Sequence, residues 1–128
     1  MSKHFQVLVI GGGTAGIMVS SMLKRKKSSL QIGIIEPTDT HYYQPAWTLV
    51  GANTYNYEKT ARPMASLIPK GVEWIKEFAN KFEPESNKVI TKAGLEITYD
   101  YLVVAPGLKI DPDMIDGLQD AMDKGIVC

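Results

Sequence analysis

Apolar residues in this chain fall into short, nearly unbroken runs set apart by glycine, proline and polar turns. Phe5 to Ile10, FQVLVI, is one such run, rich in branched side chains, and it predicts a strand buried on both faces. Glycines follow at once. From Thr14 to about Lys27 the apolar residues Ile17, Met18, Met22 and Leu23 recur at helical spacing, which predicts a helix packed on the sheet by one face. Gln31 to Glu36, QIGIIE, predicts a second buried strand and completes a strand-helix-strand unit, right-handed by the general rule. Pro37 to about Lys59 is full of aromatic and turn chemistry and is expected to be irregular. Ala61 to Ile68 predicts a helix stopped by Pro69 and Gly71. Val72 to Phe82 predicts a strand. Val89 to Thr91 and Leu95 to Tyr99 alternate around Ala93-Gly94 and predict a hairpin. Tyr101 to Ala105, YLVVA, predicts a further core strand that ends at Pro106-Gly107. The acidic stretch beyond it, IDPDMIDGLQDAMDKG, reads as a surface excursion.

This alternation of strands and helix predicts an α/β domain with a mostly parallel sheet and a small hairpin or meander. With 128 residues, 45% hydrophobic and 22% charged, there is material for one core and not for two. Fourteen basic and fourteen acidic side chains cancel, so no global field draws the chain to nucleic acid or to an anionic membrane. The basic run Lys24 to Lys27 lies at the expected helix end, where cations oppose the negative end of the dipole, and reads as a solvated terminus. A single cysteine, Cys128, excludes an internal disulfide. The start, MSKHFQ, leads into too short an apolar run for a signal peptide, and no apolar stretch nears the roughly 18 residues that span a bilayer. A soluble chain is expected.

Gly11, Gly13 and Gly16 satisfy the G-x-G-x-x-G pattern. A glycine cluster alone is often only a tight turn, but here it follows a buried strand and opens a helix, the context that gives the pattern a mechanism. Gly11 then permits the turn, Gly13 lets a pyrophosphate approach the backbone, and Gly16 lets the helix close on the strand. The amides of Thr14 and Ala15 would face phosphate from the positive helix end. Glu36 comes twenty residues after Gly16, where an acid accepts ribose hydroxyls and repels a 2′-phosphate, so NADP is disfavoured. The pattern leaves NAD and FAD both open. Ala105, Pro106 and Gly107 form a small-residue turn suited to close passage beside a flavin, or simply an ordinary turn after a central strand.

GGGTAG, IIEP, HYYQPAWTLVGA, RPMASLIPKGVEWI and YDYLVVAPG together resemble the N-terminal part of a sulfide:quinone oxidoreductase, in the branch that includes the mitochondrial enzymes. The resemblance runs from Phe5 to about Gly117. It implies a Rossmann-like FAD-binding fold in a flavoprotein with two dinucleotide-binding domains, and an enzyme that oxidises sulfide at a cysteine disulfide and passes electrons through FAD to a membrane quinone. Thr14 and Ala15 would meet the FAD phosphates, and Glu36, with Pro37 beside it, would hold the adenosine ribose. Gln44 would contact the cofactor with Pro45 fixing the backbone, and the main chain of Ala79 would read adenine. Tyr42, Tyr43 and Trp47 would shield the flavin edge, unless they form a satellite core under the loop. His41 and His4 are read as structural, and no metal spacing accompanies either.

The family's essential cysteine pair lies beyond this chain. Cys128, near the point where some members carry an additional cysteine, is the candidate catalytic residue, with an incidental thiol as the other reading. The second dinucleotide-binding domain and the membrane-associating C-terminus are also absent. Residues 1–128 are therefore expected to be an FAD-binding fragment, inactive alone, of a parent peripheral to the cytoplasmic face of a bacterial membrane. A non-catalytic dinucleotide-binding module and a type II NADH dehydrogenase are the alternatives, and the HYYQPAWTLVG loop argues against the last.

Overall fold

The computed structural model describes residues 3–125. Strand β1 (Lys3–Ile10) enters the glycine turn, α1 (Thr14–Lys26) follows, and β2 (Ile32–Ile35) returns beside β1. A short ribbon strand β3 (Thr40–Tyr42) and a small helix α2 (Trp47–Gly51) lead to β4 (Ala61–Pro63). Four more strands, β5 (Val72–Ile75), β6 (Ala79–Glu83), β7 (Lys88–Thr91) and β8 (Glu96–Val104), precede the last helix, α3 (Leu118–Asp123).

One six-stranded sheet runs β5-β2-β1-β8-β7-β6, and β3 pairs with β4 in a separate ribbon. The first four strands of that order are mutually parallel, while β6, β7 and β8 form an antiparallel meander. The fold is thus α/β, as the sequence pattern predicts. Its centre is β1, where Leu8 and Val9 are fully buried, one toward each face of the sheet. Val7, Val9, Ile32 and Ile34 pack under Leu23 of α1 and Ile68, while Leu8 and Ile10 join Ile35, Ile75, Val89 and Ile97 in a second cluster. Burial on both faces is why these strands read as continuous apolar runs. Each such aliphatic side chain stabilises the fold by about 1.5–3 kcal/mol relative to exposure.

Helix α1 lies on the sheet through Gly16 and Ser20, both buried. The Ser20 hydroxyl donates to the Gly16 carbonyl at 2.8 Å, so a polar residue faces the core without an unpaired donor. At the other end Lys24 Nζ donates to the carbonyls of Ser28 and Leu30 at 2.6 and 2.9 Å. Part of the basic run therefore closes the helix.

Four expectations need correction. Residues 61–68 are not a helix: Ala61 to Pro63 form β4, and only Met64–Ser66 makes a 3-10 turn. Pro63 drives Arg62 out of helical conformation, and its missing N–H is harmless at the ribbon's edge opposite Thr40. Val72 to Phe82 is two strands, because the chain turns at Lys76–Phe78, where Glu77 N–H bonds Ile75 O at 2.9 Å, and exchanges β2 for β7 as partner. Leu95 to Tyr99 and Tyr101 to Ala105 are one strand, since the exposed Asp100 interrupts the apolar pattern without interrupting the ladder. The irregular segment after Pro37 contains β3 and α2. No helix among the described residues is long and apolar enough to cross a membrane.

Candidate functional site

Ile10 is in register with Ile35 on one side and Val104 on the other, so β1, β2 and β8 end together. The glycine turn, Glu36 and the Ala105-Pro106-Gly107 turn all leave from those adjacent carboxyl ends, where open α/β sheets bind ligands. They bound an open cleft of about 650 Å³. One wall carries Gly12, Gly13, Thr14, Ala15, Glu36 and Thr38. The facing wall carries Thr40, His41, Tyr42, Gln44 and Pro45, with Met64 and residues 105–108 completing the lining.

Sterics fix the glycine turn. Gly11 has φ +99°, and a Cβ there would stand 2.2 Å from the Ala105 carbonyl oxygen. A Cβ on Gly16 would stand 2.0 Å from the Gly11 oxygen and 3.2 Å from Val9 Cγ1. Gly13 differs. A Cβ on it would meet nothing within 4 Å, and its φ of −71° suits any residue, so the protein itself does not require glycine there. The open side of Gly13 is a cradle that a side chain would fill. Gly13 is also the N-cap of α1, no side chain caps that helix, and the first helical bond runs from Ile17 N–H to the Gly13 carbonyl at 3.0 Å. The amides of Thr14 and Ala15 therefore stand at the positive helix end, facing the cleft. These features fit a diphosphate.

Glu36 closes the same wall. Its carboxylate accepts the Gly12 N–H at 2.7 Å on Oε2, and the Thr38 N–H and hydroxyl at 2.8 and 2.6 Å on Oε1. A carboxylate offers roughly four acceptor positions, so room remains for a sugar hydroxyl. The backbone beneath is held by Glu36 N–H to Ile75 O at 3.0 Å and by Trp74 Nε1–H to Glu36 O at 2.8 Å.

The facing wall is held by side chains. Tyr42 stacks on Tyr57 at 5.7 Å between centroids and 19° between planes, and Trp47 meets Tyr42 edge-on at 6.1 Å. The Tyr57 phenol is held above its ordinary pKa, first by its hydrogen bond with Tyr42 and then by burial. Trp47 packs into this satellite cluster, away from the cleft lining, and half-exposed Tyr43 also lies outside the lining. His41 lines the cleft with Nδ1 3.4 Å from the Gly12 carbonyl, joining the two walls.

Of the residues singled out in the sequence, Gly13, Thr14, Ala15, Glu36, Gln44, Ala105, Pro106 and Gly107 come together around the cleft. Gly11 and Gly16 lie beneath it, and Pro37 is outside its lining. Ala79 begins β6 and packs on the core cluster, also outside the lining. Cys128 lies outside the described residues. Thr38, Met64, Tyr57 and Thr60 escaped the sequence reading. Of these only Thr38 left a signal, a hydroxyl two residues after the acid, placed to bond back to it. A smaller hollow of about 350 Å³ opens at the amino-terminal strand ends beside the Lys3–Glu73 ion pair, away from these residues. Among the described residues no three His, Cys, Asp or Glu side chains are grouped to hold a metal.

Comparison with known proteins gives the same direction. The chain is 42% identical over 120 residues to the mitochondrial sulfide:quinone oxidoreductase of Dictyostelium discoideum, covering 93% of this chain and 26% of that protein. It is 40% identical over 118 residues to the corresponding protein of Mus musculus, covering 92% of this chain and 26% of that one. The solved sulfide:quinone oxidoreductase of Aquifex aeolicus superposes with a TM-score of 0.73 at 36% identity, over 85% of this chain and 25% of that chain. The chain thus spans about a quarter of the length of these relatives. Residues 5–127 match the family described as pyridine nucleotide-disulphide oxidoreductase, and the chain belongs to that family.

Proposed function

We propose that this chain supplies the FAD-binding wall of a sulfide:quinone oxidoreductase, an enzyme that oxidises sulfide and passes the electrons through FAD to quinone. The observation that carries this reading is the convergence of the glycine turn, the Glu36 carboxylate and the Gln44-Pro45 turn on one cleft at three strand ends. Similarity of about 40% to sulfide:quinone oxidoreductases supports it.

Thr14 and Ala15 amides hold the diphosphate, with the dipole of α1 opposing its charge. Glu36 accepts a ribose hydroxyl while Thr38 and Gly12 keep its carboxylate aimed. Gln44 meets the cofactor from the facing wall, and Tyr42 shields it from water there. Bound FAD supplies the two-electron chemistry, and these residues bind it, orient it and keep one side of it dry. The parent protein sits at the membrane surface where its quinone is found, and Cys128 is a candidate for the sulfur side of the reaction.

The test is the electron donor accepted by the FAD-loaded whole protein, followed by quinone reduction. Sulfide-dependent reduction without NADH-dependent reduction is expected. NADH as the donor would assign the chain to a type II NADH dehydrogenase, and tight FAD binding with neither activity would make it a non-catalytic module.

A further inference from the structure

The wall that carries Tyr42 and Gln44 has no main-chain ladder behind it except the three-residue pairing of β3 with β4. Behind Tyr42 stands the ring of Tyr57, and Trp47 touches both rings, at 6.1 Å from Tyr42 and 6.2 Å from Tyr57. Thr60 ties these parts together although it is a small residue, 1% exposed. Its hydroxyl accepts Trp47 Nε1–H at 3.3 Å and donates to the Tyr57 carbonyl at 2.6 Å, while its carbonyl accepts Tyr43 N–H at 2.8 Å. One residue thus grips the chain just before and just after Gln44-Pro45. Neither Tyr57 nor Thr60 lines the cleft.

We propose that Tyr57 and Thr60 are positioning residues for the cofactor: Tyr57 holds Tyr42 in the cleft wall by stacking, and Thr60 sets the Gln44-Pro45 turn through Tyr43 and Trp47. The proposal rests on the FAD reading of the cleft. Its consequence is selective. Glu36 and the glycine turn are bonded to each other and to the central strands, and the 3.4 Å approach of His41 Nδ1 to the Gly12 carbonyl is a long link to the facing wall, so loss of the aromatic stack falls mainly on the facing wall. A ligand that uses the glycine turn and Glu36 alone is indifferent to it.

Calorimetric titration of the whole protein, stripped of cofactor, with FAD and with ADP tests this in wild type, Tyr57→Ala, Tyr57→Phe and Thr60→Val. An aromatic pair contributes enough that Tyr57→Ala raises the FAD Kd about tenfold, while the ADP Kd stays within about twofold. Tyr57→Phe keeps the stack while losing the phenol's bond to Tyr42, and stays within about twofold of wild type in FAD Kd. Thr60→Val leaves the indole N–H without its partner and raises the FAD Kd about threefold. If Tyr57→Ala does not fold, Thr60→Val decides by the same selectivity. Equal weakening of FAD and ADP, or no change in FAD affinity, overturns the positioning role and leaves the FAD reading standing. Absence of FAD binding by wild type overturns both.

Discussion

The two walls of the cleft are built differently. The glycine turn and Glu36 extend directly from β1 and β2, two of the most buried strands, and their shape follows from contacts that admit almost no alternative, such as Gly16 against the Gly11 carbonyl. The aromatic wall spans residues 41–60 and is organised by three rings and one threonine hydroxyl, most of it half-exposed. A ligand site can therefore combine a wall fixed by the core with one fixed by its own side chains. At Gly11 and Gly16 the first tolerates no added atom. The second can lose a contact and persist in altered form.

The largest expected effect that would sharpen this contrast is Gly16→Ala. Its methyl group must push α1 off β1, and urea denaturation should show a loss of about 3 kcal/mol or failure to fold. Unchanged stability would mean that the core-fixed wall is softer than described. Next comes Glu36→Ala, which removes a charged acceptor and orphans the Gly12 N–H, and should weaken FAD about tenfold to a hundredfold. Gln44→Ala, on the softer wall, should cost a smaller factor of about threefold to tenfold, measured in the same titration. If Gln44→Ala exceeded Glu36→Ala, the ranking of the walls would be reversed.

The smallest effect lies in the meander, far from the cleft. Glu83 is held below the usual carboxylate range, first by its hydrogen bond from Lys81 and then by that from Lys88. Lys88 is held above its ordinary value by Glu83. The contribution of Glu83 is therefore complete above its unfolded pKa of about 4.3 and is lost as pH falls through the lower folded value. That of Lys88 is complete below about 10.4 and is lost as pH rises through its higher folded value. The thermal midpoint of wild type should exceed that of Glu83→Gln slightly at neutral pH, and the difference should close in acid.

The same contrast decides what could be read from the sequence. The central strands, α1, the glycine turn and the Ala93-Gly94 hairpin were legible because each rests on local pattern: continuous apolar runs, helical spacing, glycine at fixed offsets. The break at Lys76–Phe78 was not, since VEWIKEFANKF keeps strand composition through a turn that only a change of partner enforces. Residues 61–68 carried helix-forming residues and a stop signal, but pairing with β3 and the effect of Pro63 outweighed propensity. Of the residues that shape the cleft, Glu36 and Gln44 were singled out from the sequence, whereas Tyr57 and Thr60 were missed because they act across 13 to 17 positions of chain with no periodicity between them.

Gly13 offers the most direct test of the claim that this cleft is an FAD site. Its Cβ would touch no atom of the protein, and the entropic gain of Gly13→Ala is offset by the poorer N-cap, so the denaturation midpoint should stay nearly unchanged. The measurement is a flavin-fluorescence titration of wild type and Gly13→Ala with FAD, with NADH in parallel. Saturable binding of FAD in preference to NADH, weakened more than about tenfold by the methyl group at unchanged stability, is the predicted result. Equal FAD affinity in the two proteins, or preference for NADH, would contradict it.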